Sequence, residues 1–111
     1  MNAYSALSHS ASAALPRHTH QLTIWPDSFA AVATGAKPFD IRKNDQNFQV
    51  GDALLLRELN PATHEYTGQM LVRWVSHVLH GNTFGVEPGW CVLGLSPTAP
   101  LPPGITDTKL W

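Results

Sequence analysis

Charge is scarce in this chain. Only 14% of the residues are Asp, Glu, Lys or Arg, and 7 cations against 8 acids leave a formal net charge of −1. That balance excludes the broad phosphate neutralisation behind non-specific nucleic-acid binding, so a nucleic-acid or nucleotide partner must be held by a local site. A single cysteine, Cys91, excludes an intramolecular disulfide and any cysteine-based zinc site. It suits a reducing compartment, and its apolar neighbours mark it as inert core. Long apolar runs are missing too, so no membrane span is expected, and the Ala/Ser-rich start from Met1 to Ala14 lacks the basic region and apolar block of a signal peptide. A cytoplasmic protein is expected. Zinc-type spacing is also absent. His18 and His20 share a flexible approach, and His77 and His80 lie in a predicted strand without an acidic neighbour, so no metal and no other cofactor is expected.

What is present is enough for one compact domain: 111 residues, 43% of them hydrophobic. Residues 1–17 read as a flexible tail. Pro97, Pro100, Pro102, Pro103 and Gly104 end regular structure after Ser96, which leaves a folded unit over 18–96 and a Pro-rich tail over 97–111. Gln21 to Trp25 reads as a strand. Pro26 then opens a short helix with Asp27 in its first turn, Phe29, Val32 and Ala33 on its buried face, and Gly35 as its left-handed stop. A charged strand follows, then a polar loop from Asn44 to Gln49, a turn at Val50-Gly51-Asp52, and an apolar strand from Ala53 to Leu59. Asn60 to Gly68 reads as a turn. The next strand, Gln69 to His80, carries apolar residues on both faces, which predicts a central strand covered on both sides. After a loop from Gly81 to Gly89 comes a last strand, Trp90 to Leu95. About five strands and one helix predict an α+β fold, a small β-barrel or curled sheet with the helix at one end.

The densest chemistry lies between Gly35 and Asp45, which holds three of the seven Lys and Arg residues. Alternation along Phe39 to Asn44 sends Asp40, Arg42 and Asn44 to one face and Phe39, Ile41 and Lys43 to the other. Lys37 precedes Pro38, so alternation does not fix its direction, but it can reach the same pocket.

The order of strand, short helix, Gly35-Ala36-Lys37, Phe39-Asp40-Ile41-Arg42 and Val50-Gly51-Asp52 before an apolar strand resembles the ASCH superfamily. Its small branch of unknown function, common in phages and prophages, is the best match. His20 to Pro26, Leu56-Arg57-Glu58, Tyr66-Thr67-Gly68 and Phe84 to Trp90 extend the likeness from His20 to about Ser96. The resemblance implies a PUA-like mixed barrel with a cleft beside the helix that takes RNA or modified nucleosides, and a host cytoplasmic location if the chain is phage-encoded. Some relatives hydrolyse N4-acylated cytidines, with a lysine matching Lys37, a threonine where this chain has Asp40, and a later glutamate. Asp40 removes that neutral hydroxyl, which tips the reading from catalysis to binding.

Each candidate residue has a competing structural account. Lys37 with Asp40 or Glu87 could form an acid/base group, or Asp40 could only pair with Arg42 or Lys37 at the barrel rim. Arg42 offers a planar fork to a phosphate or a base edge. Asn44 and Asp45 could read a base, or end the strand in an Asx turn. Trp25 could stack on a nucleobase or close the barrel end. Arg57 would add to anion binding if it faces the cleft. Tyr66 reads as packing or turn structure, and Ser28 as a helix N-terminal hydroxyl. Three functions follow: a module binding RNA, a nucleotide or a modified nucleoside; a small nucleoside amidohydrolase or RNA hydrolase using Lys37, Asp40 and Glu87; and an adaptor that binds a host protein through Trp111 or the loop from Gly81 to Gly89.

Overall fold

The computed structural model describes residues 18–100; the two predicted tails lie outside them except for Pro97 to Pro100. Five strands and one helix follow in the order β1 (Thr19–Ile24), α1 (Pro26–Thr34), β2 (Phe39–Lys43), β3 (Ala53–Asn60), β4 (Glu65–His80) and β5 (Trp90–Ser96). They form one mixed sheet in the order β1-β3-β4-β5-β2. β1 runs parallel to β3, with Leu22 opposite Leu56, and the remaining pairs are antiparallel. The sheet curls into a half-barrel whose edge strands, β1 and β2, share no ladder. A side chain of β2 ties it to β1 across the seam: Arg42 Nη2 donates to the Thr23 carbonyl at 2.7 Å. The expected α+β class and curled sheet are therefore observed.

Trp25 ends up outside the first strand. Pro26 sets the helical φ at N1, so Trp25 becomes the extended N-cap residue (φ −82°, ψ 159°). Gly35 ends α1 in the left-handed region (φ 85°), and its N–H donates to the Val32 carbonyl. Val32 is buried and Phe29 packs on the core, as their spacing predicts, while Ala33 is exposed.

The core joins Leu22 and Ile24 of β1, Val32, Phe48, Leu54 and Leu56 of β3, Val75 of β4, and Cys91, Leu93 and Leu95 of β5. β2 adds no apolar side chain to it. Its inward positions, opposite Leu93 and Cys91, are Asp40 and Arg42, while Phe39 and Ile41 face outward and Ile41 is 54% exposed.

Two strand expectations need correction. β4 starts at Glu65, the turn being confined to residues 61–64, and Gly68 (φ 93°) sits where the β3–β4 register shifts between Arg57 and Leu59. Gly68 is thus a bulge residue within a strand. β4 is central but covered on one face only. A second bulge between Val75 and His77 reverses the alternation, so Leu71, Val75 and Val78 meet the core while Met70 and Val72 remain exposed. Among the described residues no helix is long and apolar enough to cross a membrane.

Candidate functional site

The open seam forms a cleft of about 420 Å³. β1 and the start of α1 supply one wall with Thr23, Trp25 and Ser28; β2 supplies the floor with Asp40, Ile41, Arg42 and Lys43; Asp45 and Gln46 of the following loop, with Trp90, close the far side. The volume lies in the range of small-ligand sites.

Asp40 and Arg42 share the inward face predicted by strand alternation. Arg42 Nε donates to Asp40 Oδ2 at 2.6 Å, and Asp40 Oδ1 accepts the Ile41 N–H at 3.1 Å. Both carboxylate oxygens are thereby engaged. Two of the guanidinium nitrogens are committed as well, to Asp40 and to Thr23, and Nη1 makes no hydrogen bond among the described residues. Trp25, 62% exposed, presents its ring at the mouth of this arrangement.

The other predicted residues divide. Asp45 lines the cleft. Lys37 does not line it directly: Nζ donates to Ser28 Oγ at 3.1 Å and lies 5.6 Å from the Phe39 ring centroid. Asn44 caps the end of β2, its Oδ1 accepting the Phe48 N–H at 3.4 Å and its own N–H donating to the Gly89 carbonyl. Arg57 stacks over the Tyr66 ring at 3.8 Å on the other side of β1, where Tyr66 OH and Thr23 Oγ1 are 2.9 Å apart. It takes no part in lining the cleft. Glu87 lines a neighbouring apolar hollow of about 320 Å³ that shares Ile41 and Trp90 with the cleft and adds Val86 and Val92. The structure brings together Trp25, Asp40, Arg42 and Asp45, and leaves Lys37, Asn44, Arg57 and Glu87 outside that group.

Sequence reasoning missed Lys43, Gln46 and Trp90, which reach the cleft from an outward strand position, a loop and the paired β5. It also missed the environment of Asp52. Read as a plain turn residue, Asp52 is 0% exposed, and His20 Nε2 meets its Oδ2 at 2.8 Å, an oxygen that also accepts the Gln49 N–H at 3.0 Å. His20 is therefore an ordered part of β1, correcting the flexible approach expected for it. Parallel pairing of β1 with β3 brings the two together, and no local spacing signals it. His18 Nδ1 lies 3.8 Å from the buried Asp52 Oδ1. Among the described residues no group of three or more His, Cys, Asp or Glu is arranged to hold a metal ion.

Cys91 is buried and its thiol is pushed up from the ordinary value of 9.0, first by loss of solvent and then by the negative charges of Asp40 and Asp45.

Residues 19–95, which include almost all of the sheet and the whole helix, match the model of a family described as Domain of unknown function (DUF3850). Curated proteins give no match to the chain.

Proposed function

Since the chain belongs to the DUF3850 family, whose description names no activity, we propose from the geometry that it is a PUA-like, ASCH-type module binding a nucleobase-bearing ligand in the seam cleft. The ligand is a nucleotide, a modified nucleoside or a short single strand of RNA. One observation carries this reading: an exposed aromatic ring, Trp25, stands in the same cleft as the guanidinium of Arg42, the ammonium of Lys43 and the base-reading groups of Asp45 and Gln46. Aromatic faces stack on any base, and cations beside them take the phosphate. The near-neutral chain is suited to such a local site and not to a long duplex.

Binding is favoured over hydrolysis because the three acid/base candidates do not converge. Asp40 has both oxygens engaged, Lys37 turns to Ser28, and Glu87 lines a different hollow. The test is a titration of the protein and its Trp25→Ala variant with nucleosides and short RNA strands by calorimetry. Loss of one stacking platform, worth about 1–3 kcal/mol, weakens binding by about 5- to 150-fold. Equal affinity in the two proteins sinks the reading.

A further inference from the structure

His20 stands between a buried carboxylate and the cleft. Its Nε2 faces Asp52 Oδ2 at 2.8 Å and its Nδ1 faces Gln46 Oε1 at 2.9 Å. Asp52 Oδ2 is already an acceptor for the Gln49 N–H, and the other oxygen, Oδ1, is buried without a hydrogen-bond partner. With Asp52 as a carboxylate, Oδ2 can only accept, so Nε2 carries a hydrogen and donates to it. The state of Nδ1 is then the only variable.

A neutral imidazole with its proton on Nε2 has a bare Nδ1, which accepts. Gln46 can meet it only with its amide N–H, which turns Oε1 toward the cleft. The imidazolium has a second proton on Nδ1, which donates. Gln46 then meets it with Oε1, the arrangement at 2.9 Å, and the amide NH₂ is left for the cleft. We propose that Gln46 is the specificity-determining residue of the cleft, reading the amino or oxo group of a base edge, and that the proton on His20 Nδ1 selects which of the two it reads.

The surroundings restrict the ring to this exchange. Asp52 and His18 are the titratable groups facing it, the His18 ring centroid being 6.4 Å away, and the Phe48 ring closes its side edge-on at 4.7 Å. From the cleft wall the charged groups accompanying Gln46 are Asp40, Arg42, Lys43 and Asp45. With a neutral ring, Gln46 Oε1 and the Asp45 carboxylate are two acceptors that suit an amino-bearing edge. With a charged ring, the Gln46 amide donates and suits an oxo-bearing edge.

This inference rests on the nucleobase reading above, and adenosine and inosine separate the two because they differ in an amino against an oxo group on one edge. Their affinities for the full chain are measured by calorimetry as pH is lowered through the His20 titration, which is followed by ring NMR together with the Gln46 side-chain amide signals. The expected result is a preference for adenosine that changes by about tenfold toward inosine as His20 gains its proton, the size of one exchanged hydrogen bond. The Gln46 amide signals move with the same midpoint. In Gln46→Glu, which offers only acceptors, the preference stays with adenosine. Binding of neither nucleoside, with Gln46 still following His20, removes the nucleobase reading and retains the proton-linked turn of Gln46. Gln46 signals indifferent to His20, or a preference constant through the titration, overturn the inference itself.

Discussion

Arg42 does two jobs with one side chain. It neutralises a buried carboxylate and it ties the two open edges of the sheet together. Its removal leaves Asp40 charged and unpaired in the interior, so Arg42→Ala is expected to lose about 2–4 kcal/mol in urea unfolding. The double variant Asp40→Leu/Arg42→Met recovers part of that loss, because no charge is then stranded. Weaker ligand binding by Arg42→Ala alone thus mixes contact with stability, which is why Trp25 is the cleaner probe. Cys91 gives a second expectation at this scale. Below 9.0 the thiol keeps its proton in both states; above it the unfolded chain ionises while the native thiol, raised by burial and by Asp40 and Asp45, still holds its proton. Stability therefore falls as pH rises past 9.0. The Cys91→Ala variant lacks this component when urea midpoints of the two proteins are compared across that range. The sequence revealed that Asp40 and Arg42 share a face, because strand alternation is strictly local. Which face is inside was not visible: pattern alone would put Phe39 and Ile41 there, and Asp40 is tolerated in the interior only because Arg42 and the Ile41 N–H satisfy it. The His20–Asp52 contact was hidden for a different reason, since it depends on a parallel pairing of segments distant in the chain.

Among the elements, β4 departs most from its sequence pattern. Its apolar residues on both sides suggested two covered faces, but the irregularity at Ser76 moves one set inward before it and the other set after it. One run of sequence serves a single core in two phases. The bulge is accommodated by a neighbour without a side chain. A Cβ on Gly94 of β5 would come within 2.6 Å of Ser76 Oγ and 3.4 Å of the His77 nitrogen. Gly94→Ala is accordingly expected to destabilise the protein by about 1–3 kcal/mol, and Gly94→Ala/Ser76→Gly to restore most of it. Thermal unfolding of both variants checks the coupling; equal losses in the two would show that Ser76 is not the obstacle. The helix was easier to read because its signals are local. Pro26 and Gly35 mark its ends, and Phe29 and Val32 mark its inner side.

At the scale of the whole molecule the proposed binding cleft follows from a sheet that curls without closing. The seam leaves a cleft where a complete barrel would have continuous pairing, and the cations lining it among the described residues are Arg42 and Lys43. Two phosphates at most are neutralised there. The logarithm of affinity for a short single strand is therefore expected to fall with the logarithm of salt at a slope of about −1.4 or shallower, measured by titration over a range of salt concentrations. A much steeper slope would mean that the strand continues over surface outside the cleft. The strand order has one more consequence, which concerns the time at which this site comes into being. Among the described strands β2 pairs in the sheet with β5 alone, the last of them, and Arg42 waits for Cys91 before it has a neighbour in the ladder. On a ribosome the floor of the cleft cannot be laid until the C-terminal strand has emerged. Until then Phe39 and Ile41 travel with the charged pair on an unpartnered segment, so the seam cleft is completed only once the β2–β5 ladder can form.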